Sequence, residues 1–281
     1  MLPSFVCEVT LGYMLAYRNC KCDEQLKFTI IICGSYNMGK PDIIYEDNDI
    51  IVCYKPAGIA TQTRRIGQQD MESFIRNYRA AKNEPPYVGI VHRLDQPVEG
   101  VMVFAKNQKA AASLSRQIKE HTTEKYYRAA SRGQGVSGAD KEEDNHDSAW
   151  HTLTDYISFD KRTNTSKITS EKDRLAKKAV LQYRVISVTP DRDSSQNECI
   201  RTEFDIKLLT GRHHQIRLQL AHIGYPLIGD TKYGKPASNN SGTGSKSGRT
   251  GGGVREQLAL CSYKIVFDHP ATGERLTFEL P

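Results

Sequence analysis

The run "DIIYEDNDIIVCYKP", residues 42–56, sets two short β-rich apolar stretches on either side of a polar D-N-D turn. Such runs bounded by turn residues predict two strands, the second stopped by Lys55-Pro56-Ala57-Gly58. The stretch "DMESFIRNYRAAKN" begins with Asp70, a side chain suited to cap a helix, and brings Phe74 and Tyr78 to one helical face. "VMVFAK", from Val101, reads as an apolar strand, and "NQKAAASLSRQIKEH" behind it spaces Ala110, Leu114 and Ile118 four apart, the stripe of an amphipathic helix. "EKYYRAAS", "AVLQYRVISVT" and "CIRTEFDIKLLT" read as further strands. "GRHHQIRLQLAHIGYP" carries Ile216, Leu220 and Ile223 at helical spacing and predicts a helix started by a loop. Two last strands, "LALCSYKIVF" and "ERLTFEL", flank the turn "DHPATGE". Many strands broken by a few helices, without regular β-α alternation, predict an α+β fold on a mixed, largely antiparallel sheet with flanking helices.

Other segments lack this patterning. Residues 1–40 read as a short appendage of unassigned role, whose run "FTIIIC" suits one strand, and residues 41–281 as the main domain. "GQGVSGADKEEDNHD", from Gly133, has the composition of a solvated loop, and "SKITSEKDRLAKKA" that of a basic, hairpin-like insertion. Residues 235–255, glycine- and serine-rich, predict a flexible loop; they lack the order of a phosphate-cradling motif.

Composition narrows the class. The 281 residues, 38% hydrophobic and 26% charged, suit a globular domain with a sizeable core. A net charge of +6 favours an anionic partner, because lysines and arginines that neutralise phosphates release counterions. The 7 cysteines are scattered without a C-x-x-C pair, which points to reduced thiols and away from a zinc cage. "FTIIIC" is far shorter than the roughly 20 apolar residues of a membrane-spanning helix, and the N-terminus lacks a secretory pattern, so a cytoplasmic location is expected.

Three constellations join charge to glycine-marked backbone: "HRLDQPVEG", "EKYYRA" and "TGRHHQIR". A helix begun at Gly211 would hold Arg212 in its first turn, facing anions together with the helix N–H groups. Arg217, deeper and near an apolar face, needs a carboxylate partner, for which Asp95 is a candidate. That pairing would keep Asp95 ionised, able to attack an electrophilic carbon or to take a proton, as glycosidase carboxylates do. No second acid is evident, so a leaving group that departs unprotonated fits better. Tyr126 and Tyr127 point to opposite faces of their strand, and only one can share a cleft with Asp95, either to stack on a nucleobase or as a half-buried core residue. His213 and His214 are adjacent and cannot face one metal together, so no metal is expected.

In this order the motifs "YEDNDIIVCYKPAGI", "HRLD", "GVMVFAK", "EKYYRA" and "GRHHQIRLQLAHIGYPLIGDTKYG" resemble those of the RluA-type pseudouridine synthases, from about Ile43 to Leu280. "HRLD" separates the chain from the RsuA-type enzymes, whose motif looks like "GRLD". The resemblance implies isomerisation of specific uridines in ribosomal or transfer RNA to pseudouridine, with no cofactor and no metal. It implies that Asp95 is the essential aspartate, that Tyr127 stacks on the flipped base and assists the final proton removal, and that Arg217 pairs with the aspartate. His92, Arg93, Arg212 and His214 are the candidate RNA contacts, with bracing of the loops as the alternative, favoured for the two histidines. Two departures stand out: Val98-Glu99 where many members have Thr-Ser, and His213 where they have Thr or Ser, which put hydroxyl-mediated positioning in doubt. No copy of the family's small N-terminal RNA-binding domain is recognisable, and a monomer is the default expectation. The rival readings are an RNA-binding protein that retains the fold without the reaction, and a glycosylase that stops at cleavage.

Overall fold

The computed structural model describes residues 14–20, 27–33, 40–63, 65, 67–133, 149–192, 198–234 and 256–281. The loop expected after Gly133 and the glycine- and serine-rich loop at 235–255 lie outside the described residues. In chain order the elements are β1 (Met14–Cys20), β2 (Lys27–Cys33), β3 (Asp42–Glu46), β4 (Ile50–Lys55), α1 (Met71–Ala81), β5 (Gly89–Ile90), β6 (Glu99–Ala105), α2 (Gln108–Lys119), β7 (Glu124–Gly133), β8 (His151–Asp160), β9 (Thr165–Thr169), β10 (Lys177–Arg192), β11 (Glu198–Leu208), α3 (Gln215–His222), β12 (Leu260–Asp268) and β13 (Arg275–Glu279). The result is the expected α+β architecture, a mixed and mostly antiparallel sheet with few helices.

Two compact units divide the chain: residues 1–128, 206–209 and 260–281 form the first, and residues 129–205 and 210–259 the second. The stretch expected as one domain, 41–281, contributes to both. Within the appendage, "FTIIIC" is strand β2 as expected, and β1, which had no sequence signal, pairs with it.

In the first unit β4 runs antiparallel to β3 and β6, and β6 touches β12 in parallel through Cys261↔Glu99 and Ser262↔Gly100. Strand β12 pairs antiparallel with β13, which lies parallel to β2. Every residue of β4 is buried, which explains its unbroken apolar run. Its Ile50 and Val52 share a core with Val101 and Val103 of β6, Ala110 and Leu114 of α2, and Phe267 and Phe278. Asp70 caps α1 as expected, in a reciprocal box with Ser73. The buried face of α1 is Met71, Ile75 and Arg79 rather than Phe74 and Tyr78, and Tyr78 instead donates to Glu46. Asn107 caps α2, whose Gln117 exchanges hydrogen bonds of 2.8 and 2.9 Å with the backbone of Asp268.

In the second unit β8 pairs with both β9 and β10, and Ile157, Ala179 and Leu218 form a small core. The basic insertion is β9 together with the turn into β10. Helix α3 begins at Gln215, not Gly211, because His214 takes a left-handed conformation (φ 54°) just before it. Gln215 Oε1 accepts from the Thr210 hydroxyl (2.8 Å) and the Arg212 N–H (3.0 Å) and so closes the preceding loop. Arg212 therefore sits in that loop and not in the helix's first turn, which corrects the expectation. Among the described residues no helix is long and apolar enough to cross a membrane.

Candidate active site

Asp95 sits on the loop between β5 and β6, and its two backbone neighbours are clamped. On one side the Thr61 hydroxyl donates to the Leu94 carbonyl (2.9 Å) and accepts the Leu94 N–H (3.1 Å). On the other, the Gln96 carbonyl accepts from the Gly58 N–H (2.8 Å), while the Gln96 side chain donates back to the Gly58 carbonyl (2.9 Å). The Val98 N–H donates to the Asp95 carbonyl (3.0 Å) and tightens the turn, with Val98 itself only 3% exposed. The hydroxyl that positions this loop thus comes from Thr61, a residue the sequence reading passed over. Gly100 ends the loop at φ 134°, and a Cβ there would lie 2.3 Å from the Ser262 carbonyl oxygen. Only glycine lets β6 approach β12 so closely.

Lys55 completes the clamp. It is fully buried, and its ammonium donates to the carbonyls of Ile59 (2.6 Å), Pro56 (3.0 Å) and Gln96 (3.2 Å). Burial lowers its pKa to about 8, against the opposing pull of the Asp95 and Glu99 carboxylates. In sequence this lysine reads only as the end of a strand, although a lysine closing a wholly apolar run needs partners somewhere.

Tyr127, 5% exposed, stands on β7 with its phenol bonded to the Ser262 hydroxyl. Burial, and then the negative charge of Asp95, push its pKa up, so it is a neutral phenol within electrostatic reach of that carboxylate. Tyr126, on the opposite face, donates to Glu124 (2.6 Å) and lies beneath Lys207. Of the two tyrosines, Tyr127 is the one near Asp95. His92 Nε2 accepts the Val103 N–H (3.1 Å), and burial together with the Lys125 charge draws its pKa down to about 3. It is an uncharged brace between the loop and β6, while Arg93 next to it is exposed.

Arg212, His214 and Arg217 belong to the second unit. Arg217 is buried and grips Asp230 with two parallel bonds of 2.7 Å, from Nε and from Nη2. Burial raises the Asp230 pKa, but the Arg217 bond and charge and the N–H groups of Lys232 and Tyr233 outweigh it and hold the carboxyl below its ordinary value. This carboxylate, thirteen positions along the chain, was not foreseen; an acid shortly after the buried arginine was the available signal. His214 Nδ1 lies 2.9 Å from the Tyr233 hydroxyl, and burial, followed by the charges of Arg217, His213 and Lys232, lowers its pKa to about 3. His213 bonds the Ser166 hydroxyl (2.9 Å) and packs at a tilt against the rings of Phe159 and His214, at centroid distances of 4.2 and 3.7 Å. The Arg212 Nε donates to the Lys178 carbonyl (2.8 Å).

Asp47, Asp49 and His269, in the first unit, approach closely enough to suggest a cation site. The His269 Nδ1 accepts two backbone N–H groups, so its Nε2 carries the proton and donates to Asp47 (2.9 Å). Asp47 also accepts the N–H groups of Asp49 and Ile50. The cluster joins two turns and commits these donor atoms to hydrogen bonds.

The family described as RNA pseudouridylate synthase matches residues 49–222 of the chain. The chain is 31% identical over 245 residues to "Uncharacterized RNA pseudouridine synthase YhcT" of Bacillus subtilis (strain 168), covering 86% of this chain and 69% of that protein. It is 30% identical to "Ribosomal large subunit pseudouridine synthase D" of Neisseria meningitidis serogroup B, covering 85% of this chain and 58% of that one. With "tRNA pseudouridine synthase C" of Haemophilus ducreyi the identity is 29%, over 84% and 88%. The chain thus spans less than two thirds of the length of the Neisseria meningitidis relative. Among solved structures, "Human RNA Pseudouridylate Synthase Domain Containing 1" superposes with a TM-score of 0.60 at 23% identity, over 88% of this chain and 85% of that one, and shares the fold. With the family matched over more than half the length of the chain, the chain belongs to the RNA pseudouridylate synthases, in their RluA-type branch.

Proposed function

We propose that this protein converts specific uridines of ribosomal or transfer RNA to pseudouridine, with Asp95 as the reacting carboxylate. The C1′–N1 bond breaks, the uracil turns, C1′ bonds to C5, the proton on C5 is lost and N1 takes up a proton, so that reactant and product have the same composition. Asp95 acts at the ribose, either by attacking C1′ or by removing a proton as a glycal forms. Tyr127 stacks on the extruded base, and Arg217 acts with Asp95. Extruding a uridine costs a few kcal/mol, which phosphate contacts offset. Arg93 and Arg212 are the charged candidates for those contacts, whereas His92 and His214 serve as uncharged braces or hydrogen-bond partners. No cofactor is required, and the protein works as a monomer in the cytoplasm.

The observation that carries this reading is the Asp95 loop itself. Its backbone is fixed on both sides, beside a buried ammonium and a buried phenol, which is how a reacting group is held rather than a surface ion pair. The test incubates the protein and an Asp95→Asn variant with unmodified tRNA and rRNA transcripts and maps pseudouridine by carbodiimide-dependent primer extension. New stops with the unaltered protein alone, at equal RNA binding, are expected. Pseudouridine made equally by both proteins would remove Asp95 from the reaction, and free uracil among the products would favour a glycosylase.

A further inference from the structure

Residues 160–178, from the end of β8 through β9 to the start of β10, carry seven basic and three acidic side chains, a net +4 within a chain whose total is +6. All seven cations, Lys161, Arg162, Lys167, Lys172, Arg174, Lys177 and Lys178, are exposed, and none forms a salt bridge with a described residue. The three carboxylates are committed to local structure. Asp160 accepts from the Arg162 N–H and the Thr163 hydroxyl, Asp173 from the Leu175 N–H and the Thr169 hydroxyl, and Glu171 from the Tyr156 hydroxyl. Apolar side chains stand in the same strip: Phe159 is 39% exposed and Leu175 70%. Phe159 lies on the His213 ring, and Lys178 is tied through its carbonyl to Arg212, so the strip is joined to the loop that leads into α3.

We infer that this β8–β9 hairpin and the β9–β10 turn form the docking face for the RNA strand that flanks the target uridine, a reading that rests on the proposed function. Two features favour nucleic acid over an ordinary wet surface. The cations outnumber the strip's carboxylates seven to three, and although Lys167 lies in the field of Asp160 and Asp173, none of the cations forms a salt bridge with a described residue, so binding phosphates would release counterions without first breaking close ion pairs. An exposed aromatic ring among them offers a base a stacking surface, the combination that single-stranded RNA sites use. Backbone phosphates would occupy the cations and one unpaired base would cover Phe159.

The test compares two triple variants of equal charge, made in the full chain with Asp95→Asn to prevent turnover. Arg162→Gln/Lys167→Gln/Arg174→Gln alters the hairpin, and Lys109→Gln/Arg116→Gln/Lys119→Gln alters the exposed face of α2. Binding of an unmodified tRNA transcript pool is measured from 50 to 200 mM salt. The hairpin variant is expected to lose about 2 from the slope of log K against log salt, at ~0.7 per lost single-strand contact, and at least roughly tenfold in affinity. The α2 variant should stay within about twofold, and Arg162→Lys/Lys167→Arg/Arg174→Lys should bind like the unaltered protein, which excludes a folding defect. Equal effects of the two neutralised triples, or no effect at the hairpin, would overturn the inference. Pseudouridine formation is scored separately in the Asp95 background, so a protein that makes none yet loses its salt slope at the hairpin retains the docking face and loses only the reaction.

Discussion

Replacing Lys55 by methionine sets two calculable effects against each other. Burial moves this ammonium from an ordinary 10.5 to about 8. At about 1.36 kcal/mol per unit, the charged form then costs the fold about 3 kcal/mol at neutral pH. Methionine removes that cost but strands the carbonyls of Pro56 and Ile59, each worth about 1–3 kcal/mol when left unsatisfied, while the Gln96 carbonyl keeps the Gly58 N–H. At pH 7 the two terms nearly cancel, so the variant folds with stability within about 3 kcal/mol of the unaltered protein. Their pH dependences differ. Between pH 8 and 10.5 the folded lysine has lost its proton and the unfolded one has not, so the unfolded state binds more protons and stability rises with pH. Below pH 8 both states are protonated and the contribution is constant. Urea unfolding at pH 7, 8.5 and 10 should show the unaltered protein gaining up to about 3 kcal/mol on the methionine variant, since tyrosine and cysteine titrations are common to both and cancel. Parallel curves across that window would refute the picture of a desolvated ammonium. Because Lys55 also holds the carbonyl next to Asp95, kcat should fall about ten- to a hundredfold with KM little changed, the expected effect of a misplacement near 1 Å.

Gly100→Ala places a Cβ 2.3 Å from the Ser262 carbonyl at φ 134°, so β6 and β12 must part; a loss of about 2–4 kcal/mol in urea unfolding is expected, and an unchanged midpoint would contradict the close approach. Asp230→Asn removes the charge that faces the buried Arg217 guanidinium with little change of shape. It should cost about 3 kcal/mol, and stability retained to within about 0.5 kcal/mol would mean that Arg217 does not depend on this partner.

The strands and helices of the first unit were largely legible because their signals are local. Asp70 and Asn107 cap where a polar side chain precedes an apolar stripe, and β4 stops at Lys55-Pro56. The start of α3 was misplaced because Gly211 looks like a helix opening, whereas the geometry is decided by the left-handed His214 and by Gln215 turning back on Thr210 and Arg212. Strand β8 gave no signal because most of its positions are exposed or half-buried, which leaves little alternation to read. Among the proposed functional residues, Asp95, Tyr127 and Arg217 are named by the motifs of the resemblance, whereas Lys55, Thr61 and Ser262 in the first unit and Asp230 beside Arg217 in the second are not. Their roles are hydrogen bonds to groups far along the chain or to backbone carbonyls, and such bonds impose no period on the sequence.

The state of Tyr127 couples the site's two proposed tasks. A ring that stacks on a base has to be dry, and dryness raises the phenol pKa, which makes Tyr127 a poor base in the resting protein. The carboxylate of Asp95 raises it further. In both forms of the proposed reaction Asp95 first gives up that charge, by bonding to C1′ or by taking a proton, and regains it when C1′ bonds to C5. The C5 proton therefore leaves beside a charged carboxylate, and at that step Asp95 again opposes a phenolate at Tyr127, while the Ser262 hydroxyl favours one. In the proposed reaction Tyr127 thus serves as a neutral stacking surface, kept so first by burial, and its help in removing the C5 proton depends on the Ser262 hydroxyl rather than on the charge of Asp95.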